Sequence, residues 1–552
     1  MRKLPVLALI GGLAAGAVGC DDAFLTTEPQ DVISNAVFWK TEQDFVAAVN
    51  AAYRNMLDTD LLYMECATDF AYSQKDWTPC HAYAQGYQDA LTGGWSNGIW
   101  GRLYQGISRA NEVLTQLENP EARLSEESRE QIEAQARFLR GYFYHNLLWL
   151  YGGVPIYTKV PTVREAREAR RASREEVFDF AMADLTAAAE GLPTSWPSAQ
   201  YGRATRGAAL AYKARAALYE ASYQKYHANN IARANELFRV AAEAARAVMD
   251  LGVYQLYPDF RGLFTYAGEG SAEVIFDYQH VKGQNGWNAW VWLAPFSMGS
   301  DIEMTPTRAL VDMFRMKNGL PIDDPASGYD PTPPVIDADG KVVSLGMYAN
   351  RDPRLYATVL FPGAEFNGEV YNSFPNSPTA DAINTSQMSN THTGFVALKY
   401  VDPADQTDRF NSGINIIKMR YADVLLMYAE AKIELGEIDA TVADALNQVR
   451  RRAGMPDVTL GSQAEMIELV RNERAVELAF EGLRLADIRR WKIAEQVMQG
   501  TVAGIDVRQP DGKIVTLGGL WQRKFTAPRD YLWPIPATER DLNPYLEQNP
   551  GY

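Results

Sequence analysis

The chain has 552 residues, a formal net charge of −16 at pH 7, 47% hydrophobic residues and 22% charged residues. That is an ordinary globular composition, with apolar material for one large domain or several smaller ones. The acidic balance argues against nucleic acid and against anionic membrane surfaces as partners.

The first legible element is N-terminal. Arg2 and Lys3 precede an apolar run from Leu4 to Val18, and Ala17-Val18-Gly19 leads into Cys20. The run has the proportions of a secretory signal, being too short and wrongly flanked for a stable membrane span. A thiol at the cleavage point can accept diacylglycerol. Residues 1–20 are therefore expected to form a lipoprotein signal peptide, with Cys20 as the lipid attachment; the alternative is an ordinary signal peptide with an incidental cysteine. No later stretch approaches the roughly 20 apolar residues needed to cross a bilayer.

Apolar residues recurring at three- and four-residue spacing then predict amphipathic helices at 42–57, 99–117, 126–151, 174–191, 205–221, 231–251, 417–435, 441–452, 463–480 and 483–498. Several are separated by only a few residues, which forces antiparallel neighbours. Small and aromatic residues share helix faces, as with Ala422, Tyr428 and Ala429, and with Ala208, Ala211, Tyr212, Ala214 and Tyr219. This predicts a mostly α fold of degenerate tetratricopeptide-like helical hairpins, without a strict repeat period.

The helical pattern breaks between about 252 and 416, where Gly, Pro, Asn and Asp accumulate around short apolar runs such as 273–278. This is a long, loop-rich insertion between scaffold segments at about 36–251 and 417–498, followed by a C-terminal segment at 499–552. Asp339-Gly340 and Asp511-Gly512 lie between short β-prone runs and predict hairpin turns. Residues 21–552 are read as one domain.

Cys66 and Cys80 could pair in an oxidising compartment, closing a loop worth roughly 3 kcal/mol, or stand as two free thiols. The five histidines have no metal-ligand spacing, and no glycine-rich phosphate loop occurs, so neither metal nor cofactor is expected. Gly94-Trp95-Ser96-Asn97-Gly98 fits the G-x-S-x-G nucleophile pattern, but no buried strand precedes it. It reads as a turn opening a helix.

Near the C-terminus stand Arg471-Asn472-Glu473-Arg474-Ala475-Val476-Glu477-Leu478-Ala479-Phe480-Glu481-Gly482-Leu483-Arg484, then Asp487, Arg490 and Trp491. Tyr531-Leu532-Trp533-Pro534-Ile535-Pro536 and Gln548-Asn549-Pro550-Gly551-Tyr552 follow. Upstream, in order, are Phe38-Trp39-Lys40-Thr41-Glu42, Arg137-Phe138-Leu139-Arg140-Gly141, Tyr151-Gly152-Gly153-Val154-Pro155, Arg351-Asp352-Pro353-Arg354 and Arg420-Tyr421-Ala422-Asp423. Over essentially its whole length the chain resembles the SusD/RagB family of outer-membrane nutrient-binding lipoproteins. The resemblance implies about four pairs of such hairpins in a lipid-anchored cell-surface protein that captures oligosaccharide, or peptide in some branches. It also implies a SusC-like, TonB-dependent β-barrel transporter as partner. The family's shared motifs are structural and do not name the ligand. Glu473 and Glu477 share a helical face and are expected in a hydrogen-bonded ion-pair network joining helices, not in catalysis; Asp423 and Glu430 also share a face and are expected to bind backbone or arginine groups.

The ligand signal is aromatic. Tyr72, Trp77, Tyr83, Tyr87 and Trp95 interleave with Asp69, Gln74, Lys75, Asp76, Gln85 and Asp89, and Trp287, Trp290 and Trp292 stand together in the insertion. A sugar ring lies flat on an aromatic ring while its hydroxyls bond amides and carboxylates at the rim, and rigid rings cost little entropy to order. The candidate platform residues are Trp77, Tyr83, Tyr87, Trp95, Trp287, Trp290 and Trp292; Trp290 and Trp292 would share a face if that run is a strand. The expected function is non-enzymatic glycan capture. The alternatives are peptide binding on the same scaffold, a glycan hydrolase, or a gate that holds no ligand.

Overall fold

The structure, a computed structural model, describes residues 38–552 apart from 92, 93, 385 and 388. The expected signal peptide and Cys20 lie outside the described residues.

Seven long helices build most of the scaffold: α1 (Glu42–Tyr53), α2 (Gly94–Gln116), α3 (Glu126–Tyr151), α4 (Arg174–Gly191), α5 (Arg206–Tyr226), α6 (Ile231–Asp250) and α7 (Tyr421–Glu434). Three more, α8 (Ala440–Arg452), α9 (Gln463–Leu478) and α10 (Arg484–Arg490), complete it. Each helix packs on the next from α1 to α8, and α9 also packs on α7. The pairs α1/α2, α3/α4, α5/α6 and α7/α8 are the four expected hairpins. α7 lies against α6 although the insertion separates them in sequence, so the solenoid resumes where it was interrupted.

Local chemistry sets the helix ends. Ser173 with Glu176, and Ser462 with Glu465, form capping boxes that satisfy the first free amides of α4 and α9. α3 stops at Gly152, whose φ of 79° suits glycine. Small residues let the helices approach closely: Ala208, Ala211, Ala214, Ala422 and Ala429 are fully buried. A Cβ on Gly106 of α2 would stand 2.4 Å from the Phe143 ring of α3.

Several predicted boundaries differ: the helix predicted at 42–57 ends at Tyr53, that at 205–221 runs on to Tyr226, and that at 483–498 is broken into Arg484–Arg490 and Ala494–Val497. The run predicted as helix from 417 begins as a strand, Ile416–Arg420, antiparallel to Val274–Tyr278. Every side chain of that strand is buried, and a short apolar run of this kind carries no period that separates strand from helix. The two strands close the base of the insertion. The G-x-S-x-G segment forms the first turn of α2, which starts at Gly94, five residues before its predicted start. Both expected hairpins form: Val335–Ile336 pairs with Val342–Ser344, and Gly500–Arg508 with Ile514–Arg523.

The C-terminus is clamped onto α3. The Asn549 amide donates to the carbonyls of Tyr151 (2.9 Å) and Trp533 (2.7 Å), and Trp533 N–H donates to Leu150 at 2.7 Å. The expected ion network forms as well. Arg420 bridges Glu273 (2.8 Å), Glu477 (2.7 Å) and Glu481 (2.7 Å); Arg450 meets Glu473 at 2.9 Å. Asp423 holds Arg215 (2.6 Å) and Arg474 (2.8 Å), and Glu430 holds Arg490 and the Trp491 indole. These carboxylates are scaffold. Among the described residues no helix is long and apolar enough to cross a membrane.

Candidate functional site

The loop joining the short helices Asp60–Cys66 and His81–Ala84 is pinned at several points. Ala71 and Tyr72 pair with Pro306 and Thr305, and the Gln74 amide donates to the carbonyls of Ile302 (2.6 Å) and Asn390 (2.8 Å). The Thr78 hydroxyl donates to the Lys75 carbonyl at 2.6 Å, tightening the turn that presents Trp77. Lys75 is itself buried. Its ammonium meets Asp301 at 2.6 Å and lies 5.1 Å from the Trp77 ring centroid, so a desolvated cation fixes the indole from behind. Trp77 is 63% exposed and Tyr87 51% exposed.

Beside them stand two rings without a place in the platform expected from the sequence. Trp521, on the second strand of the C-terminal hairpin, packs on Tyr72 (centroids 4.5 Å apart) and edge-on against His81 (4.1 Å). His81 Nδ1 hydrogen-bonds the Tyr87 hydroxyl, and its Nε2 lies 2.8 Å from the Gln85 amide. Burial pushes the His81 imidazole down, opposed by Asp76. Tyr72, Trp521, His81 and Tyr87 thus form one aromatic row, with Trp77 on the same loop.

The second predicted cluster joins the first through residues 301–306. Asp301 and Glu303 N–H donate to the carbonyls of Val291 and Trp292, both at 2.8 Å. Trp292 packs on Tyr63 (5.3 Å), whose hydroxyl donates to Glu303 at 3.2 Å. Burial pushes the Glu303 carboxyl up, with Lys75 opposing. The segment that grips Lys75 also backs Trp292.

Several expectations need correcting. Residues 289–293 form a short helix, not a strand, so Trp290 and Trp292 do not share a face. Trp290 is fully buried, its indole donating to Met298 at 3.0 Å. Trp287 is buried as well, donating to Ile414 at 2.8 Å. Tyr83 is buried against Trp533 (4.9 Å) and Trp95 (5.2 Å), and partly buried Trp95 reaches toward Asp60. These four rings pack the scaffold; Trp77 and Tyr87 stand exposed, and Trp292 is partly buried against the core. Among the polar residues of the loop, Asp69 is a scaffold group paired with Arg484 at 2.7 Å. Cys66 and Cys80 are free, buried thiols; burial and the neighbouring Cys80 raise the Cys66 pKa.

Sequence reasoning missed Trp521, Tyr63, Asp301 and Glu303. Trp521 lies more than 400 residues from the loop it joins, and no local pattern links the two. The Thr305-Pro306 pairing was equally silent, because a two-residue ladder has no periodicity.

Such a helical solenoid, with a loop-rich insertion and a C-terminal clamp presenting a ring-lined, polar-rimmed surface, defines a class of scaffolded binding proteins. The chain belongs to the SusD family: residues 269–552 match that family, and residues 28–218 match the family described as starch-binding associating with outer membrane. A SusD-like protein of Formosa agariphila is 27% identical over the full length of both chains. Two solved structures from Bacteroides fragilis are similar. One is a SusD-like protein with TM-score 0.78 and 27% identity, covering 95% of this chain and 100% of its own. The other is a SusD-like carbohydrate binding protein with TM-score 0.79 and 27% identity, covering 92% and 100%.

Proposed function

We propose that this protein is a non-catalytic, cell-surface glycan receptor. It captures oligosaccharide on the surface formed by Trp77, Tyr87, Trp521 and Trp292 and delivers it to a SusC-like, TonB-dependent barrel. Lipid on Cys20 holds it at the outer membrane. The observation that carries the reading is the clamped exposure of Trp77. A large apolar ring held 63% in water by a buried lysine gains nothing for the fold and offers a sugar a rigid face. Gln85, Asp76, Asp301 and Glu303 supply donors and acceptors at the rim. The carbohydrate-binding relative and the starch-binding family description support the same ligand class.

Affinity electrophoresis of the chain without residues 1–20, against a panel of polysaccharides, tests this. Retardation by a glycan, lost in Trp77→Ala, is the expected result; retardation by none would return weight to peptide or to a gating role. Glu303, with its raised carboxyl two residues from Asp301, is the feature that favours hydrolysis. Products are therefore analysed in the same mixtures, and shortened chains would overturn the non-catalytic reading. Copurification of the barrel with the tagged full-length chain from outer membranes tests the transport partner.

A further inference from the structure

Buried arginines in this protein are paired almost without exception. Arg140 meets Asp184, Arg484 meets Asp69, and Arg351 and Arg523 meet backbone carbonyls. Arg489, on α10, departs from the pattern. It is 6% exposed, and its Nε and Nη1 have no hydrogen-bond partner. Asp530, whose charge it feels, already accepts from Gln88 (2.7 Å) and Arg529 (2.6 Å). Guanidinium N–H groups withdrawn from water without an acceptor are costly, and native structures rarely leave them so.

Arg489 lines a pocket of about 220 Å³ between α5, the end of α3 and residues 528–532. Its walls include Trp149, Tyr223 and His227, with Arg174 and Arg490 beside them. Those two arginines are engaged: Arg174 bonds Glu220 at 2.8 Å while stacked 3.8 Å over Tyr223, and Arg490 bonds Glu430. His227 Nε2 lies 2.8 Å from the Arg489 carbonyl, holding that backbone in place. The pocket therefore sets the Arg489 side chain, two of whose nitrogens lack an acceptor, among aromatic walls. It shares no lining residue with the Trp77 surface.

We propose that this pocket binds a small oxyanion, with the Arg489 guanidinium as principal donor. The group is a sulfate, phosphate or carboxylate, borne by a free ion or by an acidic sugar. Guanidinium N–H groups match the oxygens of such anions in geometry and charge, and the rings around them suit a sugar face. The site is independent of the proposed glycan surface, so either can fail without the other.

Isothermal titration of the chain without residues 1–20 with inorganic phosphate, sulfate and glucuronate, at ionic strength held with sodium chloride, tests it. The described fold begins at residue 38, so the removal leaves the pocket whole. At least one anion is expected to bind in the millimolar range, and Arg489→Met to weaken it at least about tenfold. Tighter binding of glucuronate assigns the site to an acidic sugar; tighter binding of the inorganic ions assigns it to a free ion. No binding above the salt control, or unchanged affinity in Arg489→Met, overturns the proposal. If Arg489→Met does not fold, wild-type crystals soaked in selenate decide. An anomalous peak beside Arg489 supports the site, and an empty pocket overturns it.

Discussion

At the scale of single residues, a tryptophan serving a ligand and one serving the core leave different traces when removed. Trp77 stands in water, so Trp77→Ala is expected to weaken glycan binding about tenfold or more, near 1.5 kcal/mol of stacking, while leaving the thermal midpoint in place. Trp290 is fully buried, so Trp290→Ala is expected to cost about 3–5 kcal/mol in a urea titration. Equal losses of stability in the two variants would mean that Trp77 is a structural ring. The cysteines make a separate claim. Both are buried and unpaired, so a thiol reagent is expected to find neither in the native chain lacking residues 1–20 and both in guanidinium.

At the scale of the element, glycine's place in a helix depends on what faces it. Gly106 and Gly98 both lie in α2. Gly106 opposes the Phe143 ring at 2.4 Å from a built Cβ, whereas nothing lies within 4 Å of one on Gly98. Gly106→Ala is expected to destabilise by about 1–3 kcal/mol through overpacking. Gly98→Ala is expected to stabilise by up to about 1 kcal/mol through helix propensity. Opposite shifts of the two urea midpoints are the signature of the α2/α3 contact. The same contrast explains the 417–420 segment, where pairing with residues 274–278 decides for a strand although the apolar run also suits a helix.

At the scale of the whole molecule, the ion network joins the insertion, α5, α7, α8, α9 and α10. Burial alone would raise the Glu477 carboxyl, but Arg452, Arg420 and Arg354 hold it well below its ordinary value. Glu477→Gln strands those charges and is expected to cost about 3–5 kcal/mol, seen as a lowered denaturant midpoint. Asp423 likewise resists burial through Arg215 and Arg474 and is held down at about 2, against an ordinary 3.8. A depressed carboxylate contributes fully above its unfolded value and loses that contribution as pH falls through the folded one. Stability is therefore expected to decline between about pH 4 and pH 2, and Asp423→Asn to remove part of that slope. A profile that stays level across this range would contradict the assignment.

The sequence by itself determined the helical scaffold, the position of the insertion, the two hairpin turns and the carboxylates destined for ion pairs. These rest on short-range periodicity, on turn chemistry and on charged residues placed on apolar helix faces, all of which are local. Tertiary structure alone decided which rings face water. Trp77 and Trp290 are alike in composition, and only packing leaves one largely exposed and the other fully buried. It also brought Trp521 to the Tyr72–Tyr87 loop and left the Arg489 Nε and Nη1 without an acceptor, because contacts between segments hundreds of residues apart leave no pattern in either one.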